Sequence, residues 1–275
     1  MNVLSVRDLV FGYNEKKILN GINFDLEKGQ CLCLFGPNGC GKSTMLDCIL
    51  GLNKPESGKI LIGGKDATKM TAKEKAREIS YVTQKSDKTF PYLVSEIVLM
   101  GRTAYASEFS SPGKEDMAIA EAAIDKIGLN AFKDRVYTKL SGGETQLVKI
   151  ARAIAQDTDI IVFDEPTSHL DFRHELNVIK YMASIIKEES KSALMATHFP
   201  NHALFLEAAG IDTVVAMMDQ GVLKVVGKPS EVLSEKNMAE VFKVKIKNFC
   251  YEENNRIKNY IAPVDFVEGG GWHND

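Results

Sequence analysis

The chain has 275 residues and a mass of 30.4 kDa, enough for one large domain or one domain with an inserted subdomain. Hydrophobic residues make up 44% and charged residues 26%, which is typical of globular proteins. With 34 Lys and Arg against 37 Asp and Glu, and no dense basic segment, we expect no nucleic acid partner.

The N-terminus reaches charged residues too early for a signal peptide, and no apolar run approaches the roughly 20 residues of a membrane-spanning helix. We therefore expect a cytosolic protein with reduced cysteines. Cys31 and Cys33 alternate within the apolar run CLCLF, which predicts buried strand positions.

Apolar and polar residues alternate over residues 3–13 and 17–27, which predicts an N-terminal antiparallel β-layer. The later apolar runs CLCLF, IIVF and ALMAT are each followed by a helical pattern, so an α/β fold with a parallel core is predicted. A mostly helical stretch predicts an inserted helical subdomain at about residues 88–155. The polar segment 243–275 predicts a loosely held C-terminal tail.

Residues 36–43 have the spacing G-x-x-x-x-G-K-S and lie between an apolar strand and a helical run. Glycines at these positions let backbone N–H groups surround a phosphate, while Lys42 can reach β and γ oxygens and Ser43 can bind Mg²⁺. Cys40 lies inside this loop, so we expect a thiol more accessible and reactive than Cys31 or Cys33. Alternatively, its side chain points away into the protein.

Two further segments carry groups suited to nucleotide chemistry. IIVFDEP places Asp164 at a strand end beside a Mg²⁺ site and Glu165 next to an attacking water, although the two could simply cap a helix. LSGGE, residues 140–144, opens a helix with Ser141 and predicts a second anion-binding N-terminus, or only a serine-capped helix.

Together these segments resemble the nucleotide-binding subunits of ATP-binding-cassette (ABC) proteins over residues 3–242. GPNGCGKST is similar to the family's Walker A motif, LSGGE to its signature, IIVFDEP to its Walker B motif and SHLD to its D-loop, with Asp171 as the D-loop aspartate. The resemblance implies a P-loop NTPase core in a domain spanning residues 1–242. It also implies a head-to-tail homodimer in which each signature covers the ATP of the other subunit.

The resemblance assigns roles residue by residue. It implies Mg²⁺ ligation by Ser43, Gln84 and Asp164, and catalytic roles for Glu165, His198 and Gln84. The implied ATP-binding residues are Tyr13, Gly36, Pro37, Asn38, Gly39, Cys40, Gly41, Lys42, Ser43 and Thr44. The residues implied to contact the opposite subunit's ATP are Ser141, Gly142, Gly143 and Glu144. The chain departs from the family at Thr145, where Arg is common, and at Phe199 and Pro200, which follow His198 where Asp is common.

The segment between the phosphate loop and the signature is too short for the coiled coil of DNA-maintenance relatives, and one cassette argues against translation factors. VLMGR, residues 98–102, resembles ATPases of importers for iron-siderophore, haem, cobalamin and related metal compounds. That resemblance implies two integral-membrane permease subunits contacted through residues 84–102, an extracellular or periplasmic substrate-binding protein, and a location at the cytoplasmic face of the membrane. Alternatively, VLMGR is a helix end packed on the core, and a cytosolic assembly ATPase of the Fe-S cluster type stays open.

Overall fold

The computed structural model describes residues 1–84, 90–106, 112–253 and 256–267. In chain order the strands are β1 (Asn2–Tyr13), β2 (Lys16–Glu27), β3 (Cys31–Phe35), β4 (Ser57–Ile62), β5 (Lys65–Asp66), β6 (Ile79–Val82), β7 (Ile160–Asp164), β8 (Ser192–Thr197), β9 (Thr213–Asp219), β10 (Val222–Gly227), β11 (Val244–Glu253) and β12 (Arg256–Phe266). The α-helices are α1 (Lys42–Leu50), α2 (Ala72–Glu78), α3 (Val94–Leu99), α4 (Lys114–Lys126), α5 (Gly142–Ala155), α6 (Phe172–Glu189), α7 (Pro200–Ala208), α8 (Pro229–Val232) and α9 (Glu235–Phe242).

The central sheet of the described chain has six strands in the order β10-β9-β3-β8-β7-β6, parallel except for the edge strand β10. Side chains of β3 enter two different apolar clusters, with Cys33 on one face and Leu34 on the other. A parallel sheet needs this cover on both faces, because its strands are apolar throughout. The predicted parallel core and the buried positions of Cys31 and Cys33 are confirmed.

The predicted N-terminal β-layer is also confirmed. Strands β2, β1, β4 and β5 form an antiparallel sheet in that order, and β1 and β2 are joined by a tight turn. Asn14 in this turn has φ of 54°, a left-handed conformation that asparagine tolerates better than most residues. The layer packs with α1 on one face of the central sheet.

Helices α3, α4 and α5 pack together around Val98, Ile124 and Val148. Their assignment to a separate subdomain stays a prediction. A Cβ on Gly101 would lie 2.4 Å from the carbonyl oxygen of Arg152, so only glycine allows the chain after α3 to approach α5 this closely. None of the helices in the described ranges is both long and apolar enough to cross a membrane.

Arg102 lies inside this helical region, where its side chain is 9% exposed. Its Nε donates to Asp116 Oδ1 at 3.0 Å, its NH1 donates to the carbonyl of Ala155 at 2.8 Å, and its guanidinium lies 4.0 Å from the Tyr105 ring centroid. The Arg102 side chain is therefore committed to packing inside the protein and offers little surface to a membrane subunit. Contact of a membrane subunit with residues 84–102 stays a prediction.

The segment after α9 is ordered, because β11 and β12 pair as an antiparallel hairpin. Ile246 and Ile261 are each only 4% exposed. Asn201 of α7 fixes the hairpin, since its Nδ2 donates to the Ile261 carbonyl at 3.1 Å and its Oδ1 accepts from the Ile261 N–H at 2.8 Å. The expected loose tail is thus wrong for these strands, while residues 268–275 lie outside the described residues and the domain boundary at 242 stays a prediction.

Candidate nucleotide-binding and hydrolysis site

A cleft of about 750 Å³ opens at the carboxyl ends of β3, β7 and β8. Loops at this edge of a parallel sheet are where α/β proteins commonly bind ligands. The lining residues are Ile18, Asn38, Gly39, Gly41, Lys42, Ser43, Thr44, Gln84, Glu165, Ser168, His169, His198 and Phe199.

The loop between β3 and α1 is shaped by its glycines. Gly39 and Gly41 have φ of 78° and 109°, and a Cβ on Gly36 would lie 2.2 Å from the Met218 carbonyl oxygen. Lys42, only 6% exposed, donates from Nζ to the carbonyls of Gly36 at 2.7 Å and Pro37 at 3.0 Å. A cation below a glycine loop at the start of a helix fits a bound phosphate.

Cys40 does not behave as expected. Its side chain is 5% exposed and packs among the apolar residues beneath the β-layer, with Sγ 4.0 Å from Lys42 Nζ. Burial raises the pKa of Cys40, although the Lys42 charge opposes the rise. The expectation of an accessible, reactive thiol is wrong, and the alternative, a side chain pointing into the protein, holds.

Ser43 and Asp164 form an oxygen-rich pair at the base of the cleft. Ser43 Oγ donates to Asp164 Oδ1 at 3.2 Å, and Tyr81 donates its hydroxyl to Asp164 Oδ2 at 3.3 Å. Burial raises the pKa of Asp164, while these two hydrogen bonds act in the opposite direction. Hydroxyl and carboxylate oxygens are the ligands that Mg²⁺ prefers, so Ser43 and Asp164 fit a site for this ion.

Glu165 follows β7 in a left-handed conformation with φ of 45°, and its N–H donates to the Ala196 carbonyl at 3.0 Å. Its Oε2 accepts hydrogen bonds from Gln84 Nε2 at 3.0 Å and Ser168 Oγ at 2.8 Å, and it lies 3.4 Å from His198 Nδ1. The structure thus brings together Gln84, Glu165 and His198, three residues predicted from separate motifs. Ser168 was missed as a site residue, although it begins the SHLD segment.

His198 Nδ1 is buried and makes no hydrogen bond within the described chain, despite its nearness to Glu165. The imidazole instead packs against Phe199, with ring centroids 4.0 Å apart. Phe199 donates its N–H to Thr197 Oγ1 at 3.0 Å, and Pro200 starts α7, a position where its missing N–H costs nothing. The two residues that depart from the family pattern therefore shape the turn carrying His198.

The predicted signature lies elsewhere on the chain. Ser141 and Glu144 form a capping box, in which Ser141 N–H donates to Glu144 Oε2 at 2.8 Å and Glu144 N–H donates to Ser141 Oγ at 3.3 Å. Thr145 Oγ1 donates to the Ser141 carbonyl at 2.7 Å. Within the described chain, residues 141–144 do not line the cleft.

Asp171, the predicted D-loop residue, caps α6 next to the predicted signature. Its Oδ1 accepts a hydrogen bond from the His174 N–H at 2.9 Å. A Cβ built on Gly143 would lie only 2.0 Å from the nearest carbon of the His174 ring. Glycine at position 143 therefore lets the signature turn rest directly on His174.

Tyr13 ends β1 with half of its surface exposed, and its hydroxyl accepts from Asn53 Nδ2 at 3.0 Å. It is not among the described lining residues, so its stacking on adenine stays a prediction. Ile18 lines the cleft instead and was not singled out from the sequence.

Comparison with known proteins identifies the family of this chain. The profile of the ABC transporter family matches residues 19–168. The molybdate import ATP-binding protein MolC of Haemophilus influenzae is 35% identical over 87% of this chain and 87% of its own length. The iron(3+)-hydroxamate import ATP-binding protein FhuC of Bacillus subtilis is 32% identical over 89% of each chain.

Two solved structures share the fold. A chain from an inward-facing metal-chelate type ABC transporter superposes with a TM-score of 0.82 at 32% identity, covering 96% of this chain and 97% of that one. A dimeric post-hydrolysis state of the ATP-binding cassette MJ0796, bound to ADP and Pi, gives a TM-score of 0.69 at 25% identity over 82% of this chain and 98% of that one. The chain belongs to the ABC transporter family, as one of its ATP-binding and ATP-hydrolysing proteins.

Proposed function

We propose that this chain is the ATP-hydrolysing subunit of an ABC importer for an iron-siderophore, haem, cobalamin or a related metal compound. The observation that carries the hydrolytic part is the Glu165 carboxylate, held by Gln84 and Ser168 in the same cleft as Lys42. A carboxylate held in this way can orient a water and accept its proton during attack on the γ-phosphate.

The other cleft residues divide the remaining work. The loop from Gly36 to Thr44 binds the phosphates through backbone N–H groups, and Lys42 adds its charge. Ser43, Asp164 and Gln84 would hold a Mg²⁺ ion, which would neutralise charge on the phosphates when bound. His198 donates a hydrogen bond to the γ-phosphate, since its Nδ1 makes no hydrogen bond within the part of the chain that the structure describes.

A homodimer completes the site. The N-terminus of α5, with Ser141, Gly142, Gly143 and Glu144, is an anion-binding end that does not line the cleft of its own described chain. In a head-to-tail pair it would instead cover the nucleotide of the second copy. The dimeric structure of the MJ0796 cassette, bound to ADP and Pi, supports an assembly of two copies.

The importer part rests on the relatives. The matched proteins are named for import of molybdate and iron(3+)-hydroxamate, and the structural match is of metal-chelate type, so a metal compound is the shared cargo. We accordingly assign two integral-membrane permease subunits and an external substrate-binding protein as partners, with this chain at the cytoplasmic face of the membrane. Among the described residues near the predicted contact, Phe90, Tyr92 and Met100 are the exposed apolar ones.

Purification of the tagged protein from its own membrane in mild detergent tests this proposal. We expect a multi-span membrane protein as a stoichiometric partner. Its association should be weakened by Phe90→Ser combined with Met100→Ser but not by Leu52→Ser, a control change at an apolar side chain more exposed than either. A soluble scaffold protein recovered as the sole stoichiometric partner would contradict the importer role and favour Fe-S cluster assembly. Uptake of labelled iron-siderophore, haem, cobalamin and molybdate by cells lacking the chain then identifies the cargo.

A further inference from the structure

A buried hydrogen-bonded chain joins α6 to the turn that carries His198. At its centre is His202 of α7, which is 4% exposed and uses both ring nitrogens. Nε2 lies 2.8 Å from Glu175 Oε1, and Nδ1 lies 3.1 Å from Thr197 Oγ1. The family motifs do not include these three residues, and the reaction described above does not use them.

The direction of each hydrogen bond follows from the donors available. Thr197 Oγ1 already accepts from the Phe199 N–H, so its own hydrogen is available to His202 Nδ1. Nε2–H then donates to Glu175. A neutral imidazole satisfies every partner, whereas a protonated one would deprive the Thr197 hydroxyl of its acceptor. Burial lowers the pKa of His202, which agrees with the neutral form.

The same residues determine where His198 can lie. The Phe199 ring sits between the two imidazoles, with centroids 4.0 Å from His198 and 5.2 Å from His202. His198 Nδ1 makes no hydrogen bond within the described chain and only approaches Glu165 Oε2 to 3.4 Å, so the position of the ring depends chiefly on this packing and on the Phe199 backbone. At the other end, the Glu175 N–H donates to the Asp171 carbonyl at 2.8 Å, in the first turn of α6.

We propose that His202 is a positioning residue for ATP hydrolysis, which fixes His198 through Thr197 and Phe199 and ties it to the D-loop end of α6 through Glu175. This inference rests on the proposed function of the cleft. It predicts that both bonds of His202 are needed, because either one alone leaves the His198 turn free to move relative to α6.

Two variants separate these bonds. His202→Gln can still donate to Glu175 but has no acceptor for Thr197, whereas His202→Asn can still accept from Thr197 but does not reach Glu175. In each variant we expect kcat to fall about 10-fold, which corresponds to the loss of the hydrogen bond from a misplaced His198 to the γ-phosphate in the transition state. KM for ATP should stay within about twofold, because the groups that bind ATP are unchanged. Thr197→Val should show the same loss, and Thr197→Ser should restore the rate.

Ser80→Ala is the matched control, because Ser80 of β6 accepts a buried hydrogen bond from Thr158 at 3.1 Å and takes no part in the hydrogen-bonded chain through His202. It should lower stability without lowering the kcat of the folded fraction. If the His202 variants lose activity only in proportion to the folded fraction, as this control does, the inference is overturned.

A double-mutant cycle with His198→Ala completes the test, since a residue that acts only through His198 has no effect once His198 is gone. We expect His202→Gln to lower the rate in the parent and leave the His198→Ala rate unchanged; additive losses would overturn the inference. If His198→Ala impairs hydrolysis while the His202 variants keep the parental rate, only this inference fails. If Glu165→Gln and His198→Ala both keep the parental rate, the proposed function of the cleft fails.

Discussion

Replacing Arg102 with methionine should destabilise the protein without directly affecting the cleft. Methionine keeps the apolar stem but removes the hydrogen bond to the buried Ala155 carbonyl and the contact with Tyr105. A charged hydrogen bond and a cation–π contact of this kind contribute about 2–4 kcal/mol together. The Asp116 carboxylate is partly exposed, so the ion pair adds little to that figure.

This loss corresponds to a melting temperature roughly 5–15 °C lower in a chain of this size, measured by differential scanning fluorimetry. Arg7→Met is the matched control, since Arg7 pairs with Asp25 at 2.8 Å on the surface, and it should lower the melting temperature by less than about 4 °C. The reasoning is refuted if Arg102→Met is as stable as Arg7→Met and loses its membrane partner instead, because Arg102 would then act at the surface.

Three further predictions concern the loop, the cysteines and the buried histidine. Lys42→Ala should weaken ATP binding by about 10–100-fold in calorimetry, since it removes a charged donor to the phosphates, and parental affinity would contradict this. Maleimide should label exposed Cys250 alone in the native protein, with or without MgATP, and Cys250→Ser should abolish labelling; faster reaction at Cys40 would contradict its burial. Because burial lowers the pKa of His202, the unfolded chain binds a proton near pH 6.5 that the folded chain binds less readily. The free energy of unfolding should thus fall as pH drops below about 6.5, and less steeply in His202→Gln. The titratable groups that act on His202 are Glu175 and His198, and Glu253 and Lys258 of the C-terminal hairpin line a surface pocket together with His202. Equal slopes in urea titrations would contradict this sign.

The parts of the site that could be predicted are those specified within a few residues. Glycines that allow left-handed turns, a lysine at the start of a helix, and acidic residues at the end of an apolar strand fix the local backbone and its chemistry together. Gln84, Glu165 and His198 meet because each follows a parallel strand, so their shared edge follows from the order of strands in the sheet.

The parts that could not be predicted depend on contacts between distant segments. His202 meets Glu175, 27 residues away, only through the packing of α7 on α6. Whether Arg102 faces solvent or α5 depends on how closely Gly101 lets the two segments approach. The hairpin after residue 243 was missed because so few of its side chains, such as Ile246 and Ile261, are buried that the polar composition indicated a tail.

The most direct test of the account is phosphate release from MgATP by the parent and by Glu165→Gln, with bound nucleotide measured on the same samples. Glutamine keeps the size of the side chain but cannot accept a proton from water, so we predict a rate about 10²–10⁴-fold lower with ATP binding intact. A Glu165→Gln protein that releases phosphate at the parental rate while binding ATP would contradict the central claim that this carboxylate drives hydrolysis.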